Sequence, residues 1–337
     1  MRAWEPDSTL IASRPLYILT ILRLPSHVFE NRLPRFLAEI AKVDTEETDL
    51  ALDFAGVEYW IPAAVATLCS LVNRWTSSGR DVQVRNLEQC PARGYLQRMD
   101  LFDRIGLTLP ENFHRNSPGT SFVELSQVLP GIARLQDPLA RRLAECLAGT
   151  TEPTNEVLRF AQYAVGEIVA NCQQHAGKPG YIAAQYVKKR DWARIGMADY
   201  GMGILEGFRG NGSPHYRPGM TDAEAIKLAL LPWISSKRHL PKGQYGEHAN
   251  RGAGLTMVRH MIEKSCGELF IASGQAWMRI VGDNPPEIAT LPNGLTIPGT
   301  IVSILFLRAQ IVSFQELLVS AQESMNLTSD PVDDIFS

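Results

Sequence analysis

Charge of one sign, paired cysteines and long apolar runs are all scarce in this chain. Its 337 residues carry 33 Lys and Arg against 36 Asp and Glu, a formal net charge of −3. That balance gives no electrostatic footing for nucleic acid or an anionic membrane surface. The five cysteines, Cys69, Cys90, Cys146, Cys172 and Cys266, are widely scattered with no Cys-x-x-Cys pair. Neither a zinc site nor a disulfide framework is indicated, and a reducing, cytoplasmic compartment is expected. The longest nearly apolar run, Trp60 to Val72, is too short to span a bilayer. The first residues, Met1-Arg-Ala-Trp-Glu-Pro-Asp, lack the basic-then-apolar pattern of a secretory leader. What is present is an ordinary globular composition, 45% apolar and 20% charged, of a length that suggests two domains.

Three short segments carry the chemistry. In the first, Val157, Leu158, Ala161, Ala164, Val165, Ile168, Val169 and Cys172 recur at three- and four-residue steps, the apolar stripe of a long helix. Thr154 and Asn155 can cap its start. Glu167, Asn171 and His175 fall four apart along one edge of it. A carboxylate there can orient a water or hydroxyl for attack on a phosphate, and an amide oxygen at Asn171 can complete the oxygen shell of Mg2+. Taken alone, such a face reads as solvated polar surface.

The second segment is Asp199-Tyr200-Gly201-Met202-Gly203, delivered by the strand Arg194 to Ala198. Glycines at a strand end let a ligand lie on the main chain, although a tight turn uses the same residues. The third is Asn250-Arg251-Gly252-Ala253-Gly254-Leu255, opening a helix whose apolar positions include Leu255, Val258, Met261 and Ile262. Backbone N–H groups at such a start, at the positive end of the helix dipole, suit phosphate oxygens. Thr300 then begins the alternating run Ile301 to Phe306.

In this order and at these separations the segments resemble the ATP-binding domain of the GHKL superfamily, which includes DNA gyrase B, Hsp90, sensor histidine kinases and anti-sigma-factor serine kinases. The resemblance covers residues 151–310. It implies an α+β sandwich with a mixed sheet layered on helices, and ATP and Mg2+ as ligands. Asp199 would meet the adenine amine. Asn171 would hold the metal, and Glu167 would be the base. His175, Gly201, Gly203, Arg251, Gly252, Gly254, Leu255 and Thr300 would line the nucleotide site. The polar stretch Ser235 to Ala249 occupies the place of the family's ATP lid, with Lys237 its best candidate for a phosphate contact.

Residues 1–105 read as alternating strands and helices: a strand at Leu16 to Leu24, a helix at Ser26 to Ile40, a strand at Leu50 to Phe54, a helix at Ile61 to Trp75, a strand at Asp81 to Arg85 and a helix at Ala92 to Ile105. The stretches Leu52 to Val65 and Tyr95 to Phe102 resemble STAS domains, the fold of anti-sigma-factor antagonists. Aligned on Asp53 and Gly56, the place of the phosphorylated serine holds Ile61, Pro62 and Ala63, so this copy has no acceptor hydroxyl there. Residues 106–150 read as a connecting segment, with a short strand at Phe122 to Leu125 and a helix at Pro138 to Leu147 that offers a place for a homodimer contact. Residues 311–337 read as a C-terminal helix and tail.

The expected function is a regulatory protein that binds Mg-ATP and either hydrolyses it or passes phosphate to a protein partner, a regulator of sigma or anti-sigma type or a co-encoded effector. The alternative is a nucleotide-gated interaction switch with little turnover. A sensor histidine kinase is disfavoured by Glu167, which stands where that motif usually has Asn, and by the lack of a membrane segment and of an upstream phosphoacceptor helix.

Overall fold

The computed structural model describes residues 19–44, 48–113, 121–131, 137–234, 236 and 254–327. Lys237, Arg251 and Gly252 lie outside them. The chain begins with β1 (Leu19–Arg23), β2 (His27–Val28), α1 (Leu33–Asp44), β3 (Asp49–Asp53), β4 (Tyr59–Trp60), α2 (Pro62–Ser77) and β5 (Val82–Arg85). β1, β3 and β5 form a three-stranded parallel sheet in that order, with Ile21 aligned to Ala51 and Ala51 to Gln83. The crossovers from β1 to β3 and from β3 to β5 carry α1 and α2, which pack against each other.

The helix expected from Ser26 is replaced at its start by β2, which pairs with β4 in parallel. The α-helix begins only at Leu33. The helix expected over 92–105 is two: α3 (Arg93–Arg98) and α4 (Leu101–Arg104), broken where Asp100 takes φ of 60°. A left-handed residue cannot continue a right-handed helix.

A seven-stranded sheet forms the centre of the molecule. Its strands are β6 (Phe122–Val128), β7 (Gly180–Val187), β8 (Trp192–Asp199), β9 (Glu268–Gly274), β10 (Ala276–Val281), β11 (Glu287–Thr290) and β12 (Ile297–Leu307), in spatial order β11-β10-β9-β12-β8-β7-β6. Every neighbouring pair is antiparallel, where a mixed sheet was expected. Two features of the connections explain this. β6 and β7 are joined by the helical pair α5 (Asp137–Ala148) and α6 (Glu156–Asn171) and not by a single crossover helix, and the chain re-enters the sheet opposed to β6. β8 and β9 run the same way but are separated by β12, which opposes both. The segment read as a connector therefore supplies β6 to the sheet and α5 to the layer over it.

The helices α7 (Gly203–Gly210), α8 (Asp222–Ala229) and α9 (Gly254–Lys264) lie between β8 and β9, and α10 (Phe314–Leu327) follows β12. One face of the large sheet packs Ile195, Ile271 and Phe306 against Phe160, Val165 and Ile168 of α6 and Val258 of α9. The opposite face packs Ala183, Ala198, Phe270 and Ile301 against the N-terminal helices. Helix α2 is thus enclosed between two sheets, which accounts for its being buried on all sides from Pro62 to Val72. Small residues make that contact close. A Cβ on Gly196 of β8 would lie 2.1 Å from the Ala63 backbone nitrogen, so only glycine admits the first turn of α2 there. No helix among the described residues is long and apolar enough to cross a membrane.

Candidate functional site

Helix α6 starts where Asn155 accepts a hydrogen bond from Leu158 N at 3.0 Å, the capping role that Asn fills well. Its apolar stripe faces the sheet and leaves Glu167 and Asn171 along one edge. The last turn, Cys172–Ala176, widens to π geometry and closes at Gly177 with φ of 68°. Such a turn re-aims a side chain, and it occurs often at functional sites. Here it carries His175.

Asn171, His175, Asp199, Gly203, Gly254, Leu255 and Thr300 line a single cleft of about 970 Å³, measured out to its mouth. The rest of the wall is mainly apolar: Ile168, Met197, Ile204, Phe208, Ile271 and Val302. A mostly apolar cavity with a few convergent polar groups is the usual form of a small-molecule site.

Asp199 ends β8 at the floor of the cleft and is 4% exposed. Burial pushes its carboxyl up to about 7, while the backbone N–H groups of Gly201 and Thr300 pull the other way. The Gly201 N–H donates to Oδ1 at 2.8 Å. Gly201 itself is turned away from the cleft, into a second hollow shared with Glu206, Arg209, Tyr216 and Asp222. Ser273 fixes the wall between the two hollows: its Oγ accepts from Ile204 N at 2.9 Å and donates to the Gly299 carbonyl at 2.8 Å.

Glu167 sits one turn before Asn171, behind the cleft wall. A Cβ on Gly254 would lie 1.7 Å from Glu167 Oε2, so glycine at the first position of α9 is what allows that helix start to rest against the carboxylate. Burial raises the Glu167 carboxyl to about 7. A carboxyl that titrates near neutrality can exchange a proton at physiological pH.

Sequence reasoning missed Ser236, Ile234 and Phe208, all of which line the cleft. Phe208 and Ile234 are buried in a small cluster with Met220, Ala225 and Leu228 that closes α7 and α8 over the pocket. Ser236 Oγ lies 3.2 Å from His175 Nδ1. A serine in a polar stretch with no apolar period gives no advance signal of such a contact.

No family model matches the chain, nor does any curated protein or any solved structure.

Proposed function

We propose that the cleft binds Mg-ATP and that the chain is a regulatory nucleotide-binding protein of GHKL type with an N-terminal STAS-like unit. The observation that carries this reading is the gathering of unlike groups around one cavity. A buried acceptor carboxylate, Asp199, the Asn171 amide and Gly254 at the start of α9 all line it. Those are an acceptor for a base amine, an oxygen ligand for Mg2+ and N–H donors for phosphate. Gly254 lines the cleft and also meets the Glu167 carboxylate, which its lack of a side chain allows. Among the described residues no three His, Cys, Asp or Glu converge on a metal position. An ion in the cleft would therefore share Asn171 with phosphate and water oxygens. When bound, it would neutralise charge on the phosphates.

In the enzymatic form of this reading, a water oxygen attacks the γ-phosphorus, Glu167 takes the water proton, and the bond to the β-phosphate oxygen breaks to release ADP. In a transferase form, a partner's hydroxyl replaces the water. The switch reading draws support from Glu167 standing behind Gly254 instead of in the cleft wall. The N-terminal unit is then the surface for a protein partner, in a cytoplasmic setting. ATP with Mg2+ is expected to raise the melting temperature, because a ligand that binds only the native state stabilises it. Asp199→Asn is expected to remove most of that rise, and an undiminished rise in the variant would overturn the assignment of Asp199 to the base.

A further inference from the structure

Asp199 is a buried carboxyl with no cation to balance it. It lines the cleft at 4% exposure, and among the described residues no Lys, Arg or His forms an ion pair with it. Its polar partners are two backbone donors, the N–H groups of Gly201 and Thr300. Oδ1, which accepts the Gly201 N–H at 2.8 Å, is turned to the main chain, since a Cβ on Gly299 would lie 2.5 Å from it. The carboxyl is thus held in place by groups that neither carry charge nor titrate.

Taking a lone charge out of water costs more than two hydrogen bonds return, so a carboxyl in this setting keeps its proton well above the ordinary carboxylate range. Burial brings Asp199 to about 7 against the pull of the two N–H groups. The titratable groups around it come from several elements. Cys172, at the end of α6, is a thiol that burial keeps neutral. His175 stands in the π turn along the cleft wall, and Tyr200 follows Asp199 in the chain. Glu206 and Arg209 of α7, in the second hollow beyond Ser273, pair with each other. Glu167 lies behind Gly254.

The two protonation states of such a group present opposite chemistry to a ligand. Both keep the backbone N–H bonds, which the carbonyl oxygen of an acid accepts as a carboxylate oxygen does. The ionised form only accepts, and so matches the amine of a 6-aminopurine. The neutral form has an O–H to donate, and so matches the carbonyl of a 6-oxopurine, which would meet an ionised carboxylate acceptor to acceptor. A buried mismatch of this kind leaves both groups without a partner, and sites built on hydrogen bonds discriminate strongly for that reason. Resting on the nucleotide reading above, we propose that the proton on Asp199 chooses the base: without it the site takes adenine nucleotides, and with it the site takes 6-oxopurine nucleotides.

Calorimetric titration of the full chain with Mg-ATP and with Mg-ITP, the inosine nucleotide, at about pH 6 and about pH 8 tests this. The two ligands share a triphosphate, so titration of the phosphates cancels in their ratio. The dissociation constant for ITP relative to that for ATP is expected to rise about tenfold or more from the lower pH to the higher, as the carboxyl goes from mostly neutral to mostly ionised. In Asp199→Asn, which has no proton to gain or lose there, the ratio is expected to be the same at both. A second readout needs no variant: near pH 7, in two buffers of different ionisation enthalpy, the wild type is expected to release about one proton more on binding ATP than on binding ITP. A wild-type ratio that does not move with pH, a ratio that moves equally in Asp199→Asn, or equal proton counts for the two ligands overturns the choice of base by Asp199 and leaves the nucleotide reading in place. Binding of neither nucleotide at either pH overturns both.

Discussion

Arg194 Nε donates to Glu30 Oε1 at 2.5 Å, and both side chains are nearly sealed from solvent, at 2% and 8% exposed. Arg194 belongs to β8, whose far end carries Asp199; Glu30 stands in the turn before α1. Tyr59 adds a third partner, its Oη accepting from Arg194 at 2.8 Å. The strand that supplies the candidate base contact is thus tied to the N-terminal layer by charge as well as by the Gly196–Ala63 approach.

Removing one member of such a pair strands the other. Glu30→Ala is expected to cost about 3–5 kcal/mol, measured by urea unfolding. The double variant Glu30→Leu with Arg194→Met is expected to cost much less than the two single changes together, since apolar side chains of similar volume remove the uncompensated charge. Strict additivity would show that the two residues do not act as a pair.

With Glu167 as the proposed base, activity is linked to pH: the carboxyl must be ionised to take a proton from water, and burial raises it to about 7. Turnover is therefore expected to climb between about pH 6 and 8 and to level off above that range. Glu167→Gln is expected to lose on the order of 10²- to 10⁴-fold in rate with little change in ATP affinity. If phosphate release persists at the wild-type rate in this variant, another group is the base.

The same raised acid links pH to stability, with a definite sign. The native state holds the Glu167 proton more tightly than the unfolded chain, whose carboxyl titrates near 4.5. Its favourable contribution is complete below that value and is lost as pH rises through about 7. Unliganded Glu167→Gln is accordingly expected to melt several degrees above the wild type at about pH 8, a gain of order 1–3 kcal/mol, and to lose most of that advantage at about pH 5. A gap that widens toward acid would contradict the burial account.

Asn171→Ala separates metal from base. Loss of the amide oxygen is expected to weaken nucleotide binding in the presence of Mg2+ while leaving binding in excess chelator almost unchanged. Equal losses with and without the ion would place Asn171 in a role other than metal ligation.

Much of this was legible in the residues, for identifiable reasons. Helix α6 declared itself because its apolar positions repeat at helical spacing and Asn155 precedes them, and the structure keeps both. Gly201 and Gly254 read as places where a ligand can lie on the main chain, and in the structure each is met by another segment of the chain, Ala176 and Glu167, in the space a side chain would fill. Other features depend on contacts between distant segments and leave no local trace. The pairing of His27–Val28 with Tyr59–Trp60 displaced the start of α1. The all-round apolar face of α2 was plain, but not that a second sheet would cover it. Ser236 belongs to a stretch without periodicity, so only its position beside His175 reveals it.

The enclosure of α2 bears on how the chain is made. Residues 62–77 leave the ribosome long before β7, β8 and β12 exist, so one side of a helix that ends buried all round from Pro62 to Val72 waits uncovered while more than a hundred further residues are synthesised. Chains fold as they emerge, amino-terminal parts first, and exposed apolar surface at that stage invites aggregation. The amino-terminal layer is therefore a nascent intermediate in need of shelter, completed only when the strand bearing Gly196 arrives to cover it.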